Sequence, residues 1–326
     1  MTQPVPKIEL HVHLEGTMRP PTLLHIAQRN GVSLPADTPE GLAELYRFRD
    51  FEHFIEMWIL TTSALRTEAD FREIVVAYAR EAASHGAVYV EGIFTPAERV
   101  MRSGLSWDAV FAGFCDGAAQ AEEETGVVVR LTPDIPRGFD LDAAMQTARY
   151  ASKFRDRGVV GLGLGGLEAQ FAPGPYAPAF EYAKGEGLAS VPHAGEVAGA
   201  ASIRSAIEDL GADRLRHGIR AVEDAGLLRE IADRRIVCDV CPVSNVRTHA
   251  VASIADHPLP QLVDAGVLCS ISTDDPAMFE TNLTDDYDAA AALGHTAAAA
   301  YEAGIAGAAC DEQTRDRLRA LLPPAG

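Results

Sequence analysis

The sequence predicts a single α/β domain, a (β/α)8 barrel over residues 1–326. Three observations favour it: eight short apolar runs of strand character, helical patterns between them, and a length that one such barrel can fill. Strands separated by helices pair in parallel, and a set of eight favours a closed barrel over an open sheet. The predicted strands are residues 7–14, 87–94, 127–132, 159–165, 188–194, 214–219, 236–241 and 267–273.

The stretch between the first two strands is longer than one crossover requires. Residues 20–85 contain two segments of helical pattern, "PPTLLHIAQRNG" and "FEHFIEMWILTTSAL". We expect these segments to form extra helices, inserted after the first strand, over the barrel mouth. An Ala-rich segment near the C-terminus, "YDAAAALGHTAAAAYEAGIAGAA", predicts further helix.

Composition and charge exclude several classes of partner. The formal net charge is −19, so a nucleic acid would be repelled. No segment has the roughly 18 uninterrupted apolar residues of a membrane span, and the first residues do not resemble a secretion signal. The five scattered cysteines indicate a reducing compartment. We therefore expect a cytoplasmic protein that acts on a small molecule, with its oligomeric state left open.

The first predicted strand contains two histidines one residue apart, in "KIELHVHLEG". Side chains at i and i+2 of a strand point to the same face. His11 and His13 should therefore converge, while Leu10, Val12 and Leu14 face the other side. Such a strand holds either a metal ion or two ordinary buried histidines, and the pair alone does not decide between them.

Chemically active residues collect at the carboxyl ends of the predicted strands, where barrel enzymes place their active sites. Taken singly, each has a structural explanation: a histidine can be a satisfied core residue, and Asp-Asp-Pro can be a turn. Their joint placement favours a metal site instead. Besides the two histidines of the first strand, the residues are Gly165, Gly166, Glu168, His193, Glu196, His217, Asp274 and Asp275.

These residue types suit one divalent metal ion. Three imidazoles and one carboxylate can bind Zn²⁺ and leave a position for water, whose pKa the ion lowers. Glu196 lies three residues beyond a ligand and suits a general acid or base. His217 can stabilise a developing alkoxide, and Asp275 is free to bind substrate. The candidate ligands are His11, His13, His193 and Asp274.

Cys238 and Cys241 form a C-x-x-C motif inside a predicted strand. Residues at i and i+3 of a strand face opposite sides, so the two thiols should diverge. A redox pair or a zinc half-site is the alternative, but the sequence contains no second C-x-x-C to complete a tetrahedral site. We therefore expect both cysteines to have a packing role.

Six segments together resemble the adenosine deaminase family of the amidohydrolase superfamily. They are "ELHVHLEG", "GLGLGGLE", "VPHAGE", "LRHGIRAVED", "VCPVSN" and "STDDPAMF", between residues 9 and 279. The resemblance implies one Zn²⁺ per chain on the four candidate ligands. It also implies that Glu196 protonates purine N1 and that His217 orients the attacking hydroxide. Asp275 is expected to bind N7, and the backbone of Gly166 to meet N3.

The resemblance leaves the substrate open. Adenosine-specific members commonly show "HLDG" where this chain has "HLEG", and the longer acid Glu15 resembles that of adenine and modified-nucleoside deaminases. Glu15 is expected near the sugar or the N9 side of the purine. Leu167 stands where adenosine enzymes commonly carry an acid. Four arginines of the mouth segments are candidates to bind a ligand carboxylate: Arg47, Arg49, Arg99 and Arg102.

We expect hydrolytic removal of the 6-amino group of a purine nucleoside. A 5′-modified adenosine such as 6-aminodeoxyfutalosine, whose benzoate requires a basic partner, is favoured, followed by adenosine and then by free adenine. Two rivals remain. One is another metal-dependent amidohydrolase, although such enzymes usually carry a bridging Lys that the end of the fourth strand lacks. The other is an inactive barrel that only binds a ligand or regulates a partner.

Overall fold

The computed structural model of the chain describes residues 5–49 and 51–322. Every strand pairing in it is parallel. The strands are β1 (Lys7–His13), β2 (Ala87–Ile93), β3 (Val128–Leu131), β4 (Asp134–Pro136), β5 (Gly161–Gly165), β6 (Ala189–Ser190), β7 (His193–Ala194), β8 (Arg214–His217), β9 (Val237–Val240) and β10 (Cys269–Ile271).

These strands occupy the eight predicted positions of a closed barrel. β3 and β4 share one position and β6 and β7 another, separated by Pro133 and Pro192, which lack the N–H that a continuous ladder uses. Two backbone hydrogen bonds join the last position to the first: His13 N donates to Asp274 O at 2.7 Å, and Asp274 N donates to His11 O at 3.1 Å. The predicted (β/α)8 barrel is confirmed.

β1 pairs with β2 through an irregular register between Glu9 and Val12. At this irregularity the amides of Leu10 and His11 both donate to Ser272 Oγ, each at 3.1 Å. Leu10 packs in a small separate cluster, whereas Val12 belongs to the main core. The sequence predicts that Leu10 and Val12 face the same side of β1. This prediction is wrong, because a bulge adds one residue to the strand and shifts the alternation of its side chains between the two faces.

Helices cover the outside of the barrel, and α1 to α4 lie within residues 20–85. The helices of the described residues are α1 (Pro20–Arg29), α2 (Pro39–Ala43), α3 (Phe51–Thr62), α4 (Glu68–Ser84), α5 (Pro96–Ser103), α6 (Trp107–Thr125), α7 (Leu141–Lys153), α8 (Ala177–Gly185), α9 (Ala200–Glu208), α10 (Ala225–Asp233), α11 (Pro242–Arg247), α12 (Leu259–Asp264), α13 (Leu283–Ala292), α14 (Ala297–Gly307) and α15 (Glu312–Ala320).

Side-chain caps mark where several helices begin. Thr67 accepts from the amide of Asp70, and the Asp70 carboxylate accepts from the amide of Thr67, which forms a capping box before α4. Ser106 and Asp140 accept from amides of the first turns of α6 and α7 in the same way. Within the described residues, no helix is both long and apolar enough to cross a membrane.

Two arginines of β8 lie inside the barrel and determine its interior chemistry. Arg214 donates to Glu91 and to Asp239, each at 2.6 Å. Arg216, which is fully buried, pairs with Asp134. Each buried guanidinium has a carboxylate partner, because an uncompensated charge in the interior would cost several kcal/mol.

The glycine-rich sequence of β5 leaves room for one of these ion pairs. A Cβ atom added at Gly163 would overlap Asp134 Oδ1 and Arg216 Nη1. Because Gly163 has no side chain, the ion pair of Asp134 and Arg216 can lie directly against β5.

We expect Gly163→Ala to lower the melting temperature by about 2 °C or more, because forcing an extra methyl into a packed interior costs about 1–3 kcal/mol. Thermal unfolding followed by circular dichroism measures it. Gly185→Ala, at the end of α8, is the matched control, because no atom lies within 4 Å of a Cβ there. Equal melting temperatures for the two variants would contradict the close approach at Gly163.

Candidate active site

Three histidines and one aspartate converge at the carboxyl end of the barrel. His193 Nε2 lies 3.0 Å from His11 Nε2 and 3.2 Å from His13 Nε2. Asp274 Oδ1 lies 3.2 Å from His11 Nε2 and 3.3 Å from His13 Nε2. A tetrahedral site with metal–ligand distances near 2.0 Å separates neighbouring ligand atoms by about 3.3 Å. The four distances given are close to that value, and all four ligand atoms lie within 4.8 Å of one another.

The protonation states of these residues also fit a metal ion. Burial lowers the pKa of His11 well below its usual value and that of His13 to about 4, so both rings are neutral at neutral pH. Burial alone would raise the pKa of Asp274, but its interactions with His11 and neighbouring histidines lower it well below the usual range. Neutral imidazole nitrogens and an anionic oxygen brought this close together can all donate electron pairs to one cation. The donor set therefore suits a divalent metal.

The ring of His193 is oriented by groups behind it. Its Nδ1 lies 3.0 Å from the carbonyl oxygen of Leu164, a pure acceptor, so Nδ1 carries the proton and Nε2 presents a lone pair. Asp134 Oδ2 lies 3.3 Å from the same Nδ1. Asp134 is not among the residues predicted from the sequence, because the third predicted strand ends at residue 132. An acid just after Pro133, at a strand end, was the available signal.

The backbone is strained at two of the site positions. His217 has a φ of 64° and Asp274 a φ of 68°, both in the left-handed region that residues with a side chain rarely adopt. Such strain costs about 1–3 kcal/mol and collects at functional sites. At Asp274 the barrel-closing backbone bonds and a hydrogen bond from Ser244 Oγ to Oδ2 at 2.6 Å hold the residue in place.

Glu196 and His217 lie next to each other beside the convergent ligands. His217 Nε2 is 3.5 Å from Glu196 Oε2 and 3.8 Å from Asp274 Oδ2. Thr248 Oγ1 donates to Glu196 Oε1 at 3.2 Å. Burial raises the pKa of Glu196 to about 7, so a protonated carboxyl is present near neutral pH. A carboxyl of this kind can both donate and accept a proton.

Glu168 holds the segment that carries Glu196. Its Oε2 accepts from the amides of Glu196, Val197 and Ala198 at 3.0–3.1 Å, and its Oε1 accepts from the amide of Gly195. Ser202 Oγ donates to the same carboxylate at 2.7 Å. Burial alone would raise the pKa of Glu168, but these bonds outweigh it and lower the pKa. The sequence predicts Glu168 at a strand end and assigns it no role; in the structure it is an ionised anchor of this segment.

A cavity of about 260 Å³ opens onto these residues, near the lower end of the range for small-molecule sites. Gly166 and Asp275, both expected to bind substrate, line it. Trp58 Nε1 donates to Asp275 Oδ1 at 3.2 Å. One wall is apolar and is supplied mainly by α3 and nearby loops: Phe54, Ile55, Trp58, Ile59, Phe139, Leu167 and Phe279.

Glu15 lies behind the cavity wall and does not line it. Its side chain is 1% exposed, and Oε1 accepts from the amide of Thr95 at 2.8 Å. Thr95 itself lines the cavity. Glu15 therefore does not lie on the cavity surface, because the chain turns after β1 and directs this side chain toward Thr95 at the start of α5.

The four arginines of the mouth segments occupy different environments. Arg102 lines the cavity, with its Nε donating to Glu98 Oε1 at 2.6 Å. Arg99 is 1% exposed and donates to Thr62 O at 2.6 Å, away from the cavity. Arg47 and Arg49 are exposed and do not line the cavity. Of the four, Arg102 alone lines the cavity, together with Arg137, which is not among the residues predicted from the sequence.

The two cysteines of the C-x-x-C motif are buried, free and in different contacts. Cys241 Sγ lies 3.5 Å from His11 Nδ1, while Cys238 Sγ packs close to Gly218. Burial raises the pKa of Cys241 well above its usual value, so the thiol stays protonated. Cys241 therefore packs against the back of a candidate ligand.

A parallel eight-position barrel whose mouth carries three imidazoles and a carboxylate defines an amidohydrolase. The sequence model of the adenosine deaminase family matches residues 6–323. An aminodeoxyfutalosine deaminase from Acidothermus cellulolyticus is 52% identical over 324 residues, which cover 97% of this chain and 91% of that protein. The chain belongs to the adenosine deaminase family and is an enzyme that hydrolyses carbon–nitrogen bonds of cyclic amidines.

Solved structures agree with this assignment. The crystal structure of an adenine deaminase from Arthrobacter aurescens matches with a TM-score of 0.91 and 29% identity over 98% of both chains. An amidohydrolase from Burkholderia ambifaria with bound Zn matches with a TM-score of 0.88 and 26% identity, over 97% of this chain and 89% of that one. Together with the ligand spacing, the second match supports a metal cofactor. The family resemblance, the fold and the enzyme class expected from the sequence are confirmed.

We expect Glu168→Gln to loosen the segment from Gly195 to Ala198, because an amide cannot accept all the hydrogen bonds that the carboxylate accepts. Loss of one charge-assisted hydrogen bond, worth about 1.5–3 kcal/mol, should speed amide hydrogen exchange there about tenfold or more. Exchange followed by mass spectrometry measures it. Glu181→Gln, on the exposed surface of α8, is the control. Unchanged protection of the segment in Glu168→Gln would show that another group anchors it.

Proposed function

We propose that this enzyme removes the 6-amino group of a purine nucleoside by hydrolysis, with Zn²⁺ as cofactor and 6-aminodeoxyfutalosine as the favoured substrate. One observation carries the proposal: four candidate ligand atoms lie beside a carboxyl group whose pKa is about 7, with His193 Nε2 and Asp274 Oδ1 each 3.0–3.3 Å from the Nε2 atoms of His11 and His13. In the net reaction water adds at C6, the C6–N bond breaks, and ammonia and a 6-oxopurine are formed.

The ligands proposed for the metal are His11, His13, His193 and Asp274. Neutral imidazoles and a carboxylate are the donors that Zn²⁺ prefers in catalytic sites, and the Burkholderia relative binds Zn. When bound, the ion lowers the pKa of water and stabilises negative charge on oxygen. The other side chains of the site then have to position the purine and move protons.

Glu196 is proposed to transfer a proton to purine N1, which makes C6 more electrophilic. Its raised pKa keeps the carboxyl partly protonated near neutral pH, as this role requires. His217, 3.5 Å from Glu196, is proposed to orient and stabilise the oxygen that adds to C6. We further propose that Asp275 binds N7 and that the backbone of Gly166 meets N3, since both residues line the cavity.

The substrate proposal rests on the cavity wall and on the relative from Acidothermus cellulolyticus. The benzoate of 6-aminodeoxyfutalosine needs an apolar surface for its ring and a cation for its carboxylate. The α3 wall, including Phe54 and Trp58, offers the first, and Arg102 offers the second. We propose that Glu15 supports the wall through Thr95 and does not contact the ligand.

Free adenine is the second candidate. The structure from Arthrobacter aurescens, with a TM-score of 0.91, is that of an adenine deaminase. Free adenine has no carboxylate, so an enzyme for the free base would not need the cation of Arg102. The Arg102 variant below therefore distinguishes the two candidate substrates.

The metal and proton-transfer roles predict opposite behaviour in two variants. His11→Ala should lose most of its bound zinc, because one of four ligands is removed. Glu196→Gln should keep its zinc and lose activity by about 10²-fold or more. Zinc per chain by inductively coupled plasma mass spectrometry and ammonia release measure the two effects. Full zinc occupancy in His11→Ala, or near-normal turnover in Glu196→Gln, would refute the corresponding role.

For the substrate, kcat/KM should be highest for 6-aminodeoxyfutalosine, lower for adenosine and lowest for adenine on one preparation. Arg102→Gln should lower kcat/KM for 6-aminodeoxyfutalosine about tenfold and leave adenosine nearly unchanged, because only the first carries a carboxylate. Arg47→Gln is the matched control, because Arg47 is exposed and does not line the cavity. A preference for adenine of tenfold or more would overturn the nucleoside assignment.

A further inference from the structure

We propose that Asn245 and His257 act as positioning residues that fix the tautomer of His217. The inference rests on the proposed function, in which His217 faces the reacting oxygen. It concerns a chain of hydrogen bonds that begins at a backbone amide and ends at His217. Neither Asn245 nor His257 lines the cavity.

The chain begins at Leu259, the first residue of α12. Its backbone N–H donates to His257 Nδ1 at 3.0 Å. A backbone amide can only donate, so His257 Nδ1 must be the unprotonated nitrogen of the ring. Burial lowers the pKa of His257 to about 4, which makes the ring neutral near neutral pH. The single ring proton of His257 is therefore on Nε2.

This proton sets the orientation of the next side chain. His257 Nε2 lies 3.1 Å from Asn245 Oδ1 and donates to it. The amide nitrogen of Asn245 then faces His217 Nδ1 at 3.2 Å and donates to that nitrogen. A flipped amide would place its NH₂ group against the N–H of His257 and lose that bond, so His257 determines the orientation of Asn245. Because Asn245 and His257 are both buried, water is not available to replace that bond.

The hydrogen bond from Asn245 determines what the cavity-facing nitrogen of His217, Nε2, can do. Because Nδ1 accepts from Asn245, it carries no proton, and the proton of the ring is on Nε2. This N–H points toward Glu196 Oε2 at 3.5 Å and Asp274 Oδ2 at 3.8 Å. The other tautomer would direct a lone pair at these oxygens and would leave the site without this donor. Two residues outside the cavity thus determine whether His217 can donate a hydrogen bond into it.

The partners come from different parts of the fold. His217 ends β8 in a strained left-handed conformation, Asn245 lies in α11, and His257 precedes α12. The buried polar side chains of Asn245 and His257 are explained if they deliver one directed hydrogen bond to the His217 ring.

Nuclear magnetic resonance of ¹⁵N-histidine-labelled protein tests the assignment directly, with the His217 signal identified by its loss in His217→Gln. In the wild-type enzyme, with and without zinc, His217 should be the Nε2–H tautomer. Asn245→Asp replaces the donor with an acceptor of the same shape and should move the proton to Nδ1. The wild-type ring found as the Nδ1–H tautomer would overturn the proposal. This readout does not depend on activity, so it stands even if the proposed reaction fails.

Kinetics separate positioning from simple stabilisation. His257→Leu should lower kcat about 10- to 100-fold with KM changed less than threefold, as expected for loss of an outer partner. His257→Gln, whose amide can donate to Asn245, should restore most of the activity. His295→Leu is the control: His295 is also buried and bonds the backbone oxygen of Cys269 at 2.8 Å, away from the cavity. Equal loss of kcat in both leucine variants would reduce the role to stability and overturn the proposal.

Discussion

The barrel closes through the backbone of the residues that carry its chemistry. Where the last strand position meets the first, His13 N donates to Asp274 O and Asp274 N donates to His11 O. The side chains of the same three residues supply three of the four convergent ligand atoms. The closure also holds Asp274 in its left-handed conformation. Ligand geometry and barrel closure therefore depend on the same few atoms, and a shift of either strand would open the site.

Burial and hydrogen bonding give chemically similar side chains of the site different protonation states. Glu168 accepts backbone hydrogen bonds from four successive residues and stays ionised, whereas Glu196 accepts from one hydroxyl and is left with a pKa near 7. The three histidines of the ligand set are neutral because burial lowers their pKa values by more than the neighbouring carboxylates of Asp274 and Asp134 raise them, while Asp274 is an anion among them. The ionised Glu168 thus holds the segment that carries Glu196, whose pKa is about 7.

The cavity combines a polar floor with an apolar wall, and the two come from different parts of the chain. Strand ends supply the floor, whereas α3, from the long stretch after β1, supplies much of the wall. Trp58 connects them through its hydrogen bond to Asp275. Variation in the wall and at Arg102 could change which 6-aminopurine fits without disturbing the floor, which agrees with the different deaminases among the relatives.

The sequence by itself determined the eight strand positions, the barrel class and the residue types of the site, because apolar periodicity and ligand chemistry are local properties. It also placed His11 and His13 on one face. Only the tertiary structure decided that Leu10 leaves the face of Val12, because a bulge depends on pairing with another strand. Likewise, the positions of Glu15 and Arg99 behind the cavity wall, and the bond from Asn245 to His217, arise from contacts between residues far apart in the chain. No local pattern encodes such contacts, since packing alone sets which side chains meet.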